Sequence, residues 1–122
     1  MRIDEISDIL QAEAMACDMT SLAQEADFAF AADFLSDVLA FGRPGFLLLT
    51  GLLGCQLVRT AEISGVVAIV FVRGKRPTHD MVELAQRSGL PLICTKMTMF
   101  EACGRLYQAG MSPADCTSVR GS

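Results

Sequence analysis

The run Val66-Val67-Ala68-Ile69-Val70-Phe71-Val72-Arg73-Gly74-Lys75-Arg76-Pro77 decides the fold. Seven apolar residues, five of them β-branched, follow one another without alternation. Such a run predicts a strand covered on both faces, as the central strands of parallel sheets are. It stops at a basic, glycine-containing turn, and Pro77 stands where the next helix begins. Two flanking segments repeat the design. Residues 46–50 form a short strand ending at Thr50-Gly51, and a helix at about 55–64 follows, closed by Gly65. A helix at 78–88, closed by Gly89, leads to a third strand at 90–95, which ends at Thr95-Lys96. Thr98-Met99-Phe100-Glu101 then reads as a capping box with Met97 as its staple, opening a helix that runs to about residue 109.

Thr50 to Arg73 is 23 positions and Arg73 to Thr95 is 22. Strand–helix units of this length stack side by side through right-handed crossovers. The expected fold is a single α/β domain of three layers, α/β/α, around a mostly parallel sheet of four or five strands. In such folds the carboxyl ends of the strands share one rim, where ligands bind.

Working outward, residues 3–16 carry Ile6, Ile9, Leu10 and Ala14 at helical spacing, with Asp4 placed to cap. Residues 17–27 are weakly patterned and read as a connection, although Ser21-Leu22-Ala23-Gln24 resembles a capping box. Residues 28–32 are a short strand, 33–41 a helix of about two turns, and Gly42-Arg43-Pro44-Gly45 a break. The organisation expected is an N-terminal helical segment, 1–25, packed on an α/β domain at 26–110, with a loose polar tail at 111–122.

The 122 residues suit one domain with an aliphatic core: 52% are hydrophobic, 20% charged, and tryptophan is absent. No apolar run approaches the roughly 20 residues that span a bilayer. The first residues lack the apolar stretch of a signal peptide. The expectation is a soluble cytoplasmic protein that does not engage membranes. Residues 1–40 hold nine acids and one base (−8), and residues 41–122 hold nine bases and five acids (+4), giving the net −4. A net-negative chain is a poor nucleic-acid binder. A local basic excess suits a small anion better than a polyanion.

Five cysteines, Cys17, Cys55, Cys94, Cys103 and Cys116, show no C-x-x-C spacing. They read as free thiols, with Cys55, at a helix start, the one to test for reactivity. His79 is the sole histidine and opens a helix. It reads as a surface residue, and no metal site is expected. No cofactor is implied. A G-x-x-x-x-G-K-[ST] phosphate loop is missing, and no Ser/His/Asp or Cys/His set is deducible, so no enzyme is expected.

The pattern resembles a known family. Leu48-Leu49-Thr50-Gly51, Arg59-Thr60-Ala61-Glu62, Arg73-Gly74-Lys75, Glu83-Leu84-Ala85 and Pro91-Leu92-Ile93-Cys94-Thr95-Lys96-Met97-Thr98-Met99-Phe100 are similar to the DRTGG domain. That domain is itself similar to the amino-terminal domain of HPr kinase/phosphorylase, and also occurs beside CBS domains in some pyrophosphatases. The resemblance covers about residues 26–109. Thr50-Gly51-Leu52 stands where the family carries Gly-Asp-Arg, and Val72-Arg73-Gly74 where it carries Thr-Gly-Gly. It implies a regulatory α/β fold.

The function expected is therefore a non-catalytic regulatory or sensor module. It would bind a small phosphorylated ligand or nucleotide at Thr50, Gly51, Arg73, Gly74, Lys75, Thr95, Lys96 and Thr98, and act through a partner protein, as a homodimer. Three readings of the basic cluster stand: an anion site, a solvated rim, or a salt-bridged dimer contact with Asp33 or Asp37. The alternative function is a structural interaction or dimerisation module with no small-molecule ligand, its acidic first segment serving as contact surface.

Overall fold

A computed structural model describes residues 1–16 and 19–115. Cys17, Cys116 and most of the expected tail lie outside the described residues. The elements, in chain order, are α1 (Ile3–Ile9), β1 (Glu13–Ala16), α2 (Met19–Leu22), β2 (Phe28–Ala31), α3 (Leu35–Phe41), β3 (Phe46–Thr50), α4 (Cys55–Ser64), β4 (Ala68–Phe71), α5 (His79–Ser88), β5 (Leu92–Cys94), α6 (Met99–Gln108) and β6 (Ser112–Pro113). The strands form one sheet in the order β1-β5-β4-β3-β2-β6.

The four strands read from the apolar runs are the four central ones, and all are mutually parallel. Two short edge strands bring the sheet to six among the described residues. β6 lies parallel to β2, and β1 lies antiparallel to β5. The N-terminal segment departs from the expected single helix. Gln11 takes a left-handed φ of 51°, which stops α1, and the chain turns back as β1 with an irregularity between Ala14 and Ala16. Glu13-Ala14-Met15-Ala16 has no strong strand preference of its own. Pairing with the edge of β5 overrides it, as tertiary context commonly does for strands. The capping expectations there shift as well: Arg2 caps α1, with Glu5 accepting its N–H at 3.2 Å, and Ser21 lies inside α2 with its hydroxyl near the Gly89 carbonyl.

The sheet is covered on both sides. Leu48, Ile69, Phe71 and Leu92 face α3, α4 and α5 through Val38, Leu57, Val58, Ala61, Met81 and Ala85. The alternate residues Leu47, Leu49, Ala68, Val70, Val72 and Ile93 face Ile3, Ile6 and Leu10 of α1 and Ala102 and Leu106 of α6. Gly65 and Gly89 end α4 and α5 in the left-handed conformation, as their positions in the sequence predict.

Two-sided burial has a measurable consequence. Leu47 and Leu48 are both fully buried, on opposite faces of β3. Leu47→Ala and Leu48→Ala should each lower unfolding free energy by about 2–5 kcal/mol in chemical denaturation. A sheet with one wet face would show the loss for only one of the two.

Candidate functional site

The carboxyl ends of β3, β4 and β5 are level: Thr50 pairs with Phe71, and Phe71 with Cys94. Thr50, Arg73 and Thr95 therefore stand along one edge. The connections leave that edge in different directions. After β3 and β4 the chain passes to α4 and α5 on one face, and after β5 it passes to α6 on the other. The mouths of β4 and β5 are thus a switch point, where open α/β sheets leave a crevice. A cleft of about 420 Å³ lies beside it, lined by Gly74, Arg76, Thr95, Lys96 and the α1–β1 turn with Glu13.

The turn after β4 shapes this edge. Val72-Arg73-Gly74-Lys75 closes with Lys75 N–H donating to the Val72 carbonyl at 3.1 Å. Both central residues have positive φ, 58° at Arg73 and 70° at Gly74. Gly74 adopts this without cost, whereas an arginine does not. Arg73 N–H donates to the Met97 carbonyl at 2.8 Å and Gly74 N–H to the Thr95 carbonyl at 3.0 Å, which hold the strained turn against the next loop.

The eight residues chosen from sequence fall into three groups. Arg73 lies towards β3: a Cβ added to Gly51 would stand 2.6 Å from Arg73 Nη2 and 3.6 Å from Asp33 Oδ1. The guanidinium therefore rests on the glycine backbone. Asp33, at the end of β2, accepts from Gly51 N–H at 2.8 Å and from the Thr50 hydroxyl at 3.3 Å. Gly74, Thr95 and Lys96 line the cleft, and exposed Lys75 adjoins them on the turn. Thr98 stands apart from that lining. Its hydroxyl caps α6, accepting from Glu101 N–H at 3.2 Å.

The buried threonine hydroxyls serve the scaffold. Thr50 Oγ1 also accepts from Leu52 N–H at 3.1 Å. Thr95 Oγ1 donates to the Leu10 carbonyl at 2.7 Å and accepts from Met97 N–H at 3.2 Å. That bond ties the end of α1 to the rim. Three contributors escaped sequence reasoning: Leu10, Gln11 and Glu13 enter the cleft because α1 ends early. Asp33 carried a signal, standing directly after an apolar strand. Arg76 pairs with Glu13 at 3.0 Å, joining β1 to the turn after β4.

Ion pairing among the described cations is uneven. Arg2, Arg76, Arg87 and Arg105 each meet a carboxylate. Arg73, Lys75 and Lys96 are exposed and make no ion pair among the described residues. His79, on the solvent side of α5, lies 3.9 Å from Glu83. No group of three or more metal-ligating side chains occurs among the described residues. Nor is any helix among them long and apolar enough to cross a membrane. Burial pushes the Cys94 thiol above its ordinary pKa, with the Arg76 guanidinium pulling the other way. Burial alone raises Cys103. Cys55 is half-buried at the first position of α4.

No family model matches the chain, and no curated protein sequence matches it. Among solved structures, it is similar to the CBS and DRTGG domains of the regulatory region of Clostridium perfringens pyrophosphatase, in complex with the activator diadenosine tetraphosphate. The TM-score is 0.72 at 20% sequence identity, over 93% of this chain and 48% of that one. The chain thus spans about half the length of that regulatory region. The likeness establishes the α/β fold and supports a DRTGG-like form of it.

Two outcomes follow from these contacts. Thr95→Val leaves the Leu10 carbonyl unpaired in the interior and should cost about 1–3 kcal/mol of unfolding free energy. Buried Cys94 and partly buried Cys103 add a pH dependence. Their raised pKa in the fold means that the unfolded chain ionises first, so stability is full below the ordinary thiol pKa and declines as pH rises through it. Thermal unfolding followed from neutral to alkaline pH should show the decline, and Cys94→Ala should flatten it.

Proposed function

We propose that this chain is a non-catalytic regulatory module that binds a small phosphorylated ligand, a nucleotide in the first instance, at the β4–β5 switch point. The observation that carries the reading is the set of unpaired cations there. Among the described residues Arg73, Lys75 and Lys96 have no carboxylate partner, on an edge where two loops part around a cleft. Among the described residues Arg59 is also exposed without an ion pair and Arg43 meets only backbone carbonyls, but Arg73, Lys75 and Lys96 are the ones that share this edge of the sheet. Lys75 and Lys96 would meet phosphate oxygens directly. Arg73 would add charge from the Gly51 side, and Gly74 would let a ligand approach the backbone closely. Thr50, Gly51 and Thr95 would frame the site through the loops they hold, and Thr98 would fix the start of α6.

Arg73 adds a second line of support. A non-glycine residue held at positive φ costs roughly 1 kcal/mol or more, and such strain gathers at binding sites. The pyrophosphatase regulatory region, about half of which shares this fold, is complexed with the activator diadenosine tetraphosphate, which makes that class the natural first probe. In the same reading the module works in the cytoplasm through a partner protein, self-associates as a homodimer, and is kin to the amino-terminal domain of HPr kinase/phosphorylase. Residues 26–110 would form its DRTGG-like part, with 1–25 packed against it.

Thermal denaturation with inorganic phosphate, AMP, ATP and a dinucleoside polyphosphate tests the site. A ligand at 100-fold its Kd adds about 2.7 kcal/mol of stability. Lys75→Ala with Lys96→Ala should weaken that ligand about tenfold or more and leave the unliganded melting temperature unchanged. Arg73→Asn should raise the unliganded stability by roughly 0.5–1 kcal/mol, since Asn-Gly suits a turn with two positive φ values, while reducing ligand affinity. If none of the probes moves the melting temperature, the ligand reading falls.

A further inference from the structure

Helix α6 carries a second surface, separate from the basic edge. Phe100, Cys103, Gly104 and Tyr107 stand at i, i+3, i+4 and i+7, so they form one stripe. Ala102 and Leu106 turn the other way, into the core. Phe100 is 90% exposed and Tyr107 68%. An open groove of about 580 Å³ runs over the stripe, and a smaller one of about 130 Å³ lies between Cys103, Tyr107 and the β2–β6 edge at Ala29, Ala31 and Pro113. Gly104 is the odd member. A glycine inside a helix weakens it relative to alanine. A Cβ there would meet nothing within 4 Å among the described residues, so no contact with them requires its absence. A bare backbone on an exposed helix face has a use where a second backbone must come close.

We propose that the stripe pairs with a second copy of this chain, α6 against α6, antiparallel about a twofold axis passing between Cys103 and Gly104. Under that symmetry Phe100 faces the partner's Tyr107, and Cys103 faces the partner's Gly104. Aromatic meets aromatic at both ends, and the smallest side chains meet at the crossing. The charges agree as well. Glu101 and Arg105 flank the stripe on one side, 3.0 Å apart within the helix. Reversing the second helix sets Glu101 beside the partner's Arg105 and Arg105 beside the partner's Glu101, within one turn along the axis. A stripe that opposes unlike charges to itself in this way is complementary to its own copy. The two aromatics supply roughly 300 Å² per chain. The groove beside β2 and β6 supplies more of the ~800 Å² per partner that a stable pair buries. The interface is thus a modest one, and the dimer should be reversible. This deepens the self-association included in the proposed function and does not depend on the ligand.

Sedimentation velocity of the full chain over a concentration series, with bis-maleimide cross-linking, tests it. The expected result is a 13.1 kDa species at low concentration giving way to one of twice that mass. Gly104→Gln and Tyr107→Lys should each raise the dissociation constant about tenfold or more. Glu101→Arg should dissociate the pair, and Glu101→Arg together with Arg105→Glu should restore it. Cross-linking should be lost in Cys103→Ser and kept in Cys55→Ser. A chain that stays monomeric throughout overturns the proposal. So does a dimer indifferent to Gly104→Gln and to the charge swap, whether it forms through another face or the stripe receives a different protein. Gly104→Gln should leave any anion-induced rise in melting temperature intact, which separates failure here from failure of the ligand site.

Discussion

Strands β3, β4 and β5 are apolar on both faces, and the rest of the molecule follows from the need to cover them. Leu47, Leu48, Leu49, Ile69, Val70, Phe71, Leu92 and Ile93 are essentially buried, pointing alternately to opposite sides. A strand with no wet face must be central, and it must carry helices above and below. Right-handed crossovers place α3, α4 and α5 on one face. The other face is then left for α1 and α6. That division sets the geometry of the candidate site. Because α6 must leave β5 for the face that α5 does not cover, the loops after β4 and β5 part company, and the chain opens at their mouths.

The opening is held by a set of hydrogen bonds, with the Arg76–Glu13 ion pair beside them. Arg73 and Gly74 donate to the carbonyls of Met97 and Thr95, and the Thr95 hydroxyl reaches across to Leu10. These bonds fix both loops and the end of α1 as one unit. The side chains of Lys75 and Lys96 take no part in these bonds. Among the described residues four arginines besides Arg73 are tied to a carboxylate and Arg43 to backbone carbonyls, and Arg59, like Arg73, makes no ion pair.

Much of this was legible from sequence, and for physical reasons. Val66 to Val72 is too apolar and too short for anything except a buried strand. Gly65 and Gly89 mark helix ends, and Thr98 marks a helix start, because each has local backbone geometry that few other residues satisfy. Local rules therefore located the four central strands, the four helices that follow them, and the shared edge. What they could not supply was set by distant partners. Glu13–Ala16 reads as helix on its own and becomes a strand only beside β5. Ser112–Pro113 reads as tail and becomes a strand only beside β2. The hydroxyls of Thr50 and Thr95 look available in sequence, yet one is shared with Asp33 and the other is bonded to a carbonyl 85 positions away. Such uses have no signature along the chain.

The two outermost strands also decide how these molecules can meet in a crowded solution. An unfinished sheet margin invites any extended polypeptide to zip onto it, the first step towards fibrils. One margin of this sheet ends in a pair of residues, the second a proline that has no amide hydrogen to offer. The opposite margin is interrupted within four residues by a slip in register. Neither presents a continuous template for backbone-to-backbone growth. Encounters between copies are steered instead towards side-chain contacts, which are finite and can come apart again.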